Sequence, residues 1–169
     1  SGARNVIGFM DLAENSTYDP TLIGSQVLPS NGSNNLYSKI NADPLVRQYT
    51  SASGELIGTN YNYTAGVHFN KIENARKLSE AEYFYHPQLG YISLNRKMED
   101  DEVLAVAFQY SVRGSDDIYQ IGEFSSDIPD VQSSIFLKML KSTQVNNTSV
   151  PLWDLMMKNV YSLGAYGVD

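Results

Sequence analysis

Alternating hydrophobic and polar residues in the second half of the chain predict β-strands. The clearest case is residues 103–112, where apolar side chains recur at every second position. A period of two places successive side chains on opposite faces of a sheet, so one face of this strand is predicted to be buried. Its core-facing residues would be Leu104, Val106, Phe108, Tyr110 and Val112.

Further strands are predicted wherever β-branched and aromatic residues cluster between turn residues. These strands cover residues 5–13, 61–69, 82–86, 90–95 and 117–124. Residues 134–142 are ambiguous, since Leu137 and Leu140 suit a helix, but their isoleucine and phenylalanine favour a strand. The "RGSDD" sequence at 113–117 is typical of the connection of a hairpin. Residues 71–82 carry mixed charges and favour either a loop or one or two helical turns.

An amphipathic helix is predicted near the end of the chain, over residues 149–164. Apolar residues recur there at the i, i+3, i+4, i+7 spacing that forms one helix face. Ser149 can cap the start, Pro151 is tolerated in the first turn, and Gly164 can end the helix.

Residues 14–60 differ in composition from the second half of the chain, since they are rich in Asn, Ser, Gly and Pro, which favour turns. We expect long loops there, interrupted by one brief element around residues 36–40. The predicted fold is mainly β (α+β): an antiparallel β-sandwich-like domain with a β core over 61–142, a C-terminal amphipathic helix and long loops. Residues 1–169 are expected to form a single soluble domain, and the opening "SGARN" indicates a fragment of a larger protein.

Composition excludes several classes of function. The formal net charge is -7, and a surface of this sign repels nucleic acid. The chain has no cysteine, which excludes disulfides, thiolate metal sites and cysteine nucleophiles. No apolar run approaches the ~20 residues that a membrane-spanning helix needs.

Two histidines and two acidic runs are the candidates for chemistry. His86 stands before a proline, which favours a histidine that ends a strand at a turn over a general base. His68 is predicted to be a surface imidazole on the polar face of its strand. The consecutive acids Glu99–Glu102 lack the alternate spacing and the glycine of a calcium loop, so a solvated turn is favoured over a metal site. The sequence at residues 114–117 is even weaker evidence for a metal site than the run Glu99–Glu102.

No motif for catalysis or nucleotide binding accompanies these residues. There is no G-x-S-x-G nucleophile elbow and no glycine-rich loop between a strand and a helix. We therefore predict no enzymatic activity, no catalytic, cofactor-binding or metal residues and no cofactor, and the sequence names no binding residues.

Five segments, in order, resemble one large protein family. They are "RNVIGFMDLAE" (4–14), "HPQLGYISLNRKMEDDEVLAVAFQYSV" (86–112), "IYQIGEFSSD" (118–127), "SSIFLKMLKS" (133–142) and "PLWDLMMKNVYSL" (151–163). The chain is similar here to the SprA or Sov family of Bacteroidetes, which serves gliding motility and type IX secretion. The similarity is weak through residues 15–75, and it includes no catalytic motif.

The resemblance implies that the parent is a very large outer-membrane β-barrel, the translocon that carries folded proteins to the cell surface. This chain would be a structural domain of that translocon, located in the cell envelope on the periplasmic or cell-surface side of the outer membrane. Its partners would be other parts of the parent barrel, secretion-system subunits and secreted cargo proteins. The alternatives are a cell-surface adhesion or carbohydrate-binding β-sandwich module, expected to show several aromatic rings on one exposed face, and a hydrolase that would use His86.

Overall fold

The computed structural model describes residues 3–24, 28–87 and 90–143 of the chain. Strands account for 31% of these residues and helices for 14%, which confirms the mainly-β class. In chain order the elements are β1 (Arg4–Phe9), α1 (Leu36–Asn41), α2 (Pro44–Arg47), α3 (Tyr49–Ile57), β2 (Phe69–Ala75), β3 (Tyr83–His86), β4 (Tyr91–Leu94), β5 (Leu104–Val106), β6 (Phe108–Ser111), β7 (Ile118–Ile121) and β8 (Ile135–Lys141).

The largest sheet has four strands in the order β2-β1-β8-β5. β1 lies inside the sheet, antiparallel to β2 and parallel to β8, with Ile7 opposite both Lys71 and Phe136. The last four residues of β1 are all buried, so both faces of the strand are covered, which suits its nearly continuous apolar sequence. Gly8 allows close packing on one face, since a Cβ there would already touch the Cβ of Met139 at 3.4 Å.

One face of this sheet packs against the helices and forms the main core. Phe9 of β1 and Phe136 of β8 are fully buried and meet edge to face, with ring centroids 5.6 Å apart. The helices contribute buried residues to the same cluster: Leu36, Ile40, Val46, Ala52 and Leu56. Among the described residues, the layer opposite this face is therefore helical, whereas the sequence had predicted a sandwich of sheets.

The helices correct the prediction that residues 14–60 are loops. Residues 14–35 do lack helices and strands where they are described, but residues 36–57 hold the three helices of the described residues, of which α1 lies at the brief element predicted around residues 36–40. Leu36 and Ile40 are one helical turn apart and both are buried. Asp43 caps α2 by accepting a hydrogen bond from the Leu45 amide. The polar composition hid these helices because each of them contributes only one or two residues to the core.

Residues 61–69 were predicted to be a strand, and that prediction is wrong. The segment is a series of turns, and β2 begins only at Phe69. Gly66 has a φ of +83°, which turns the chain. Tyr61, Tyr63 and Phe69 are nevertheless buried, whereas Ala65 is exposed, so the alternation predicted burial only in part and did not predict the backbone conformation. β2 in turn occupies residues 69–75, where a loop or helical turns had been predicted from residue 71 onward.

The predicted strand over 103–112 is divided between two sheets. β5 pairs with β8, whereas β6 pairs with β7, and Ala107 separates them. Phe108 and Val112 are exposed, so they do not face the core as predicted. A strand that changes partner halfway cannot keep one face against one core.

The shorter strand predictions agree better with the structure. Strands are confirmed at β3, β4, β7 and β8, and residues 113–117 do connect a hairpin, between β6 and β7. The predicted helix at 149–164 lies outside the described residues.

Candidate functional site

His86 ends β3 next to a turn, as predicted. Gly90 has a φ of +69° and its amide donates to the carbonyl of His86, and the His86 ring stacks on Tyr91 with centroids 4.1 Å apart. The Nε2 atom lies 3.1 Å from Ser93 Oγ. No carboxylate of the described residues bonds to this ring, so the arrangement lacks the partner that would orient and polarise a general base.

His68 is not the surface imidazole that the sequence predicted. Its ring is half-buried and lies parallel to Tyr63, with centroids 4.6 Å apart. Nδ1 accepts a hydrogen bond from the Thr64 amide at 2.9 Å, which requires that nitrogen to be unprotonated. Burial lowers the pKa of His68, although Asp11 and Asp19 oppose the shift. The imidazole is a structural part of the turns over 61–69.

The acidic run Glu99–Glu102 forms a turn, as predicted, but basic residues organise it. Arg96 makes a two-point contact with the carboxylate of Glu102, at 2.7 and 2.9 Å. The ammonium of Lys141 donates to the carbonyls of Glu99, Asp100 and Glu102. The bonds from Arg96, followed by the Glu99 amide, lower the pKa of Glu102 to about 2.

Residues 114–117 also serve the backbone. Ser115 Oγ accepts a hydrogen bond from the Asp117 amide and donates to Asp117 Oδ2, both at 3.1 Å. These bonds close the turn between β6 and β7. Among the described residues, no group of three or more His, Asp or Glu side chains has the arrangement of a metal site.

A buried ion pair, which the sequence did not suggest, joins α2 to the segment after β7. Glu123 has a side chain that is 1% exposed, and its Oε1 lies 2.7 Å from Arg47 Nη1. Tyr37 donates its hydroxyl to the same carboxylate at 2.9 Å, and the Phe136 amide donates to it at 2.8 Å. Burial, followed by the charge of Glu123, raises the pKa of Tyr37 to about 12. All the donors are satisfied internally, which is typical of a structural network.

A second buried network lies at the end of β1. Lys138 donates to the Met10 carbonyl and pairs with Glu14, with 2.7 Å between Nζ and Oε1. Asp11 accepts hydrogen bonds from the amides of Tyr18 and Asp19. Burial lowers the pKa of Lys138 and raises that of Asp11. Each group holds the loop that follows β1.

The strongest candidate for a functional surface is the two-stranded sheet β3–β4, here called the aromatic ribbon. Its antiparallel register places Phe84, His86, Tyr91 and Ser93 on one face and Tyr83, Tyr85, Ile92 and Leu94 on the other. None of its eight residues is buried. Phe84 is 61% exposed and Tyr85 is 52% exposed, on opposite faces.

Such a ribbon is unusual on a protein surface that makes no further contacts. A free two-stranded sheet is marginally stable in water, and exposed contiguous apolar residues mark interaction sites. The sequence predicted both strands but not their exposure, because apolar residues on both faces normally indicate a buried strand. The exposed apolar rings are suited to contact with protein.

No family model, curated protein or solved structure matches this chain. Within the described residues, no helix combines the length and the apolar character that crossing a membrane requires.

Proposed function

We propose that this chain is a structural domain of the outer-membrane translocon of type IX secretion and gliding motility, involved in protein secretion. Two independent features support the proposal. The first is the similarity of the five ordered segments to the SprA or Sov family. The second, which carries the argument, is the aromatic ribbon, a sheet with apolar side chains on both faces and no buried residue.

The ribbon would dock against other parts of the parent protein. Full burial of a phenylalanine side chain stabilises a contact by roughly 1.5–3 kcal/mol. Phe84 and Tyr85 expose more than half of their surface, so covering both gains on the order of 2–3 kcal/mol in total. That gain alone corresponds to a dissociation constant on the order of 10 mM, so docking would also rely on the effective concentration that the tether provides and on further contacts.

Docking would also complete the predicted architecture. Strands of the parent beside the aromatic ribbon would extend it into a second sheet, and this would give the sandwich predicted from the sequence. The amphipathic helix predicted over 149–164 would cover a further apolar face of the domain. The proposed role is positional.

The test is a secretion assay in the parent protein carrying Phe84→Ser and Tyr85→Ser together. We expect less cargo in the medium while the parent remains in the outer membrane, because the ribbon loses its apolar contacts. Val131→Ser is the matched control, since Val131 is 65% exposed and lies outside the ribbon. Normal secretion by the double variant, or an equal loss in the control, would contradict the proposal.

The exposed rings also favour a second candidate, a carbohydrate-binding or adhesion module. Sugars stack on free aromatic faces, and Phe84 and Tyr85 are accessible. However, these two rings point to opposite sides of the ribbon, and the Tyr91 ring is stacked on His86. Glycan-array binding that is lost in Phe84→Ser or Tyr85→Ser would favour this candidate over the secretion role.

A further inference from the structure

A groove beside β7 joins an open strand edge to two carboxylates, and we propose that it binds an extended, basic segment of another polypeptide. The groove, here called the edge groove, lies between residues 28–32 and β7 and has a volume of about 840 Å³. Tyr37 and Asp127 complete its walls. This proposal is independent of the secretion role and of the aromatic ribbon.

Asn31 shows which way the edge of β7 faces. Its amide donates to the Gln120 carbonyl at 2.8 Å. Its side chain exchanges two hydrogen bonds with the backbone of Gly122, at 2.8 and 3.0 Å. Asn31 therefore acts as a one-residue strand partner on the side of β7 that faces away from β6.

In an antiparallel pair, the backbone N–H and C=O groups of successive residues point alternately toward and away from the partner strand. This alternation shows which way the other backbone groups of β7 point. The backbone groups of Gln120 point away from β6, so those of Ile118, two residues earlier, point the same way. Within the described parts of the chain, no group bonds to the amide or the carbonyl of Ile118. Asn31 thus closes one half of the edge and leaves the other half open toward the edge groove.

An open edge of this kind accepts an extended peptide, because the peptide backbone can continue the ladder. Ile118 is 70% exposed beside the free groups and offers an apolar contact to the incoming strand. The two-stranded β6–β7 sheet would gain a third strand, which is the number at which such sheets become independently stable.

The charge of the edge groove selects the partner. Asp117 and Asp127 both line it, and no lysine or arginine does. Asp127 is held in place because its Oδ2 accepts hydrogen bonds from Gln120 Nε2 at 2.9 Å and from the Phe124 amide at 2.8 Å. Tyr37 and Tyr119 add aromatic surface, which attracts cationic side chains. The matching ligand is a strand with lysine or arginine flanking a small apolar residue.

Binding can be measured with a fluorescein-labelled peptide of alternating lysine and valine, seven residues long, on the full chain. Fluorescence anisotropy gives the affinity, and ¹⁵N amide shifts locate the peptide. We expect the largest shifts at Ile118–Gln120. A peptide of alternating glutamate and valine, and the lysine peptide N-methylated at alternate residues, should each bind at least about tenfold more weakly, since they lose charge attraction or ladder bonds.

Two variants test the site from the protein side. Ile118→Pro removes an amide N–H that points away from β6, so the hairpin should be retained while peptide binding falls about tenfold. Ile118→Val keeps this amide and is the matched control, which should bind the peptide normally. Asp117→Lys should weaken binding about threefold at low salt. Amide spectra establish that each variant is folded. Undetectable peptide binding, shifts centred elsewhere, or equal affinity for the N-methylated peptide would overturn the proposal.

Discussion

Removing the charge of Glu123 should destabilise the fold more than any surface substitution. The carboxylate accepts four hydrogen bonds: two from Arg47, at 2.7 and 3.0 Å, one from Tyr37 and one from the Phe136 amide. In Glu123→Gln, the side chain keeps its shape, but its NH2 group would face one of the N–H or O–H groups that donate to the carboxylate. Bulk water offers little compensation, because the side chain is 1% exposed.

The expected loss is about 3 kcal/mol in the free energy of unfolding. Breaking a buried ion pair costs roughly 3–5 kcal/mol, and the glutamine oxygen recovers part of the network by accepting from the Phe136 amide or from Arg47. A typical domain is stable by about 5–15 kcal/mol, so the variant remains folded but marginal.

Urea denaturation at pH 7 gives the free energy directly. With a slope of about 2 kcal/mol per molar urea, the midpoint of unfolding should fall by about 1.5 M. Glu82→Gln is the matched control, because Glu82 also pairs with an arginine, but its side chain is 29% exposed and that of Arg76 is 58% exposed. Water screens an exposed pair, so it contributes little to stability and this variant should hardly change the midpoint.

A double-mutant cycle separates the pair from its surroundings. Arg47→Met leaves a buried carboxylate without its cation, whereas Arg47→Met with Glu123→Leu removes both charges and substitutes apolar groups. The double variant should therefore lose less stability than the sum of the two single losses. The reasoning is refuted if Glu123→Gln behaves like Glu82→Gln, or if the cycle is additive.

Further predictions concern the turns and the core. NMR titration should give Glu102 a pKa of about 2, and the pKa should return toward its ordinary value in Arg96→Met. Folding lowers this pKa, so the stability that the pair contributes is present above the unfolded value of 4.5 and is lost as the pH falls toward 2. Gly122→Ala should lower the melting temperature, since φ is +72° and the new Cβ would lie 3.0 Å from the nearest side chain. Gly54→Ala, in α3 with open space around it, should instead stabilise by roughly 0.5–1 kcal/mol, and a fall in its melting temperature would contradict this. Phe9→Ala should cost about 3–5 kcal/mol by urea denaturation, because the ring is fully buried; a loss below about 1 kcal/mol would contradict the assigned core.

Local patterns predicted the short strands and the hairpins. β6 and β7 are neighbours in sequence, and the turn residues between them are readable without any knowledge of the rest of the fold. The same holds for the turn after His86, where Pro87 restricts the backbone and Gly90 permits a positive φ. These elements depend on contacts between residues that are close along the chain.

The elements that sequence reasoning missed depend on distant contacts. Arg47 and Glu123 are 76 residues apart, and neither stands in a recognisable motif, so their pairing has no local signal. Tyr61 and Tyr63 alternate like strand residues, yet they lie in a loop and are buried there by tertiary packing. The exposure of the aromatic ribbon is hidden for the same reason, since composition reports what a residue prefers and not what covers it.

The parallel pairing of β1 with β8 constrains how the molecule can be made. Lys138 of β8 bonds to the Met10 carbonyl, just beyond β1, across 128 residues of sequence. A ribosome would release nearly all of the domain before the strand that belongs beside β1 becomes available, and closing so long a loop is entropically unfavourable and slow. Until then β1, with its run of apolar side chains, has one edge without its native neighbour. A chaperone that shields β1 during synthesis would therefore protect this chain from aggregation more than one that acts only after β8 has been made.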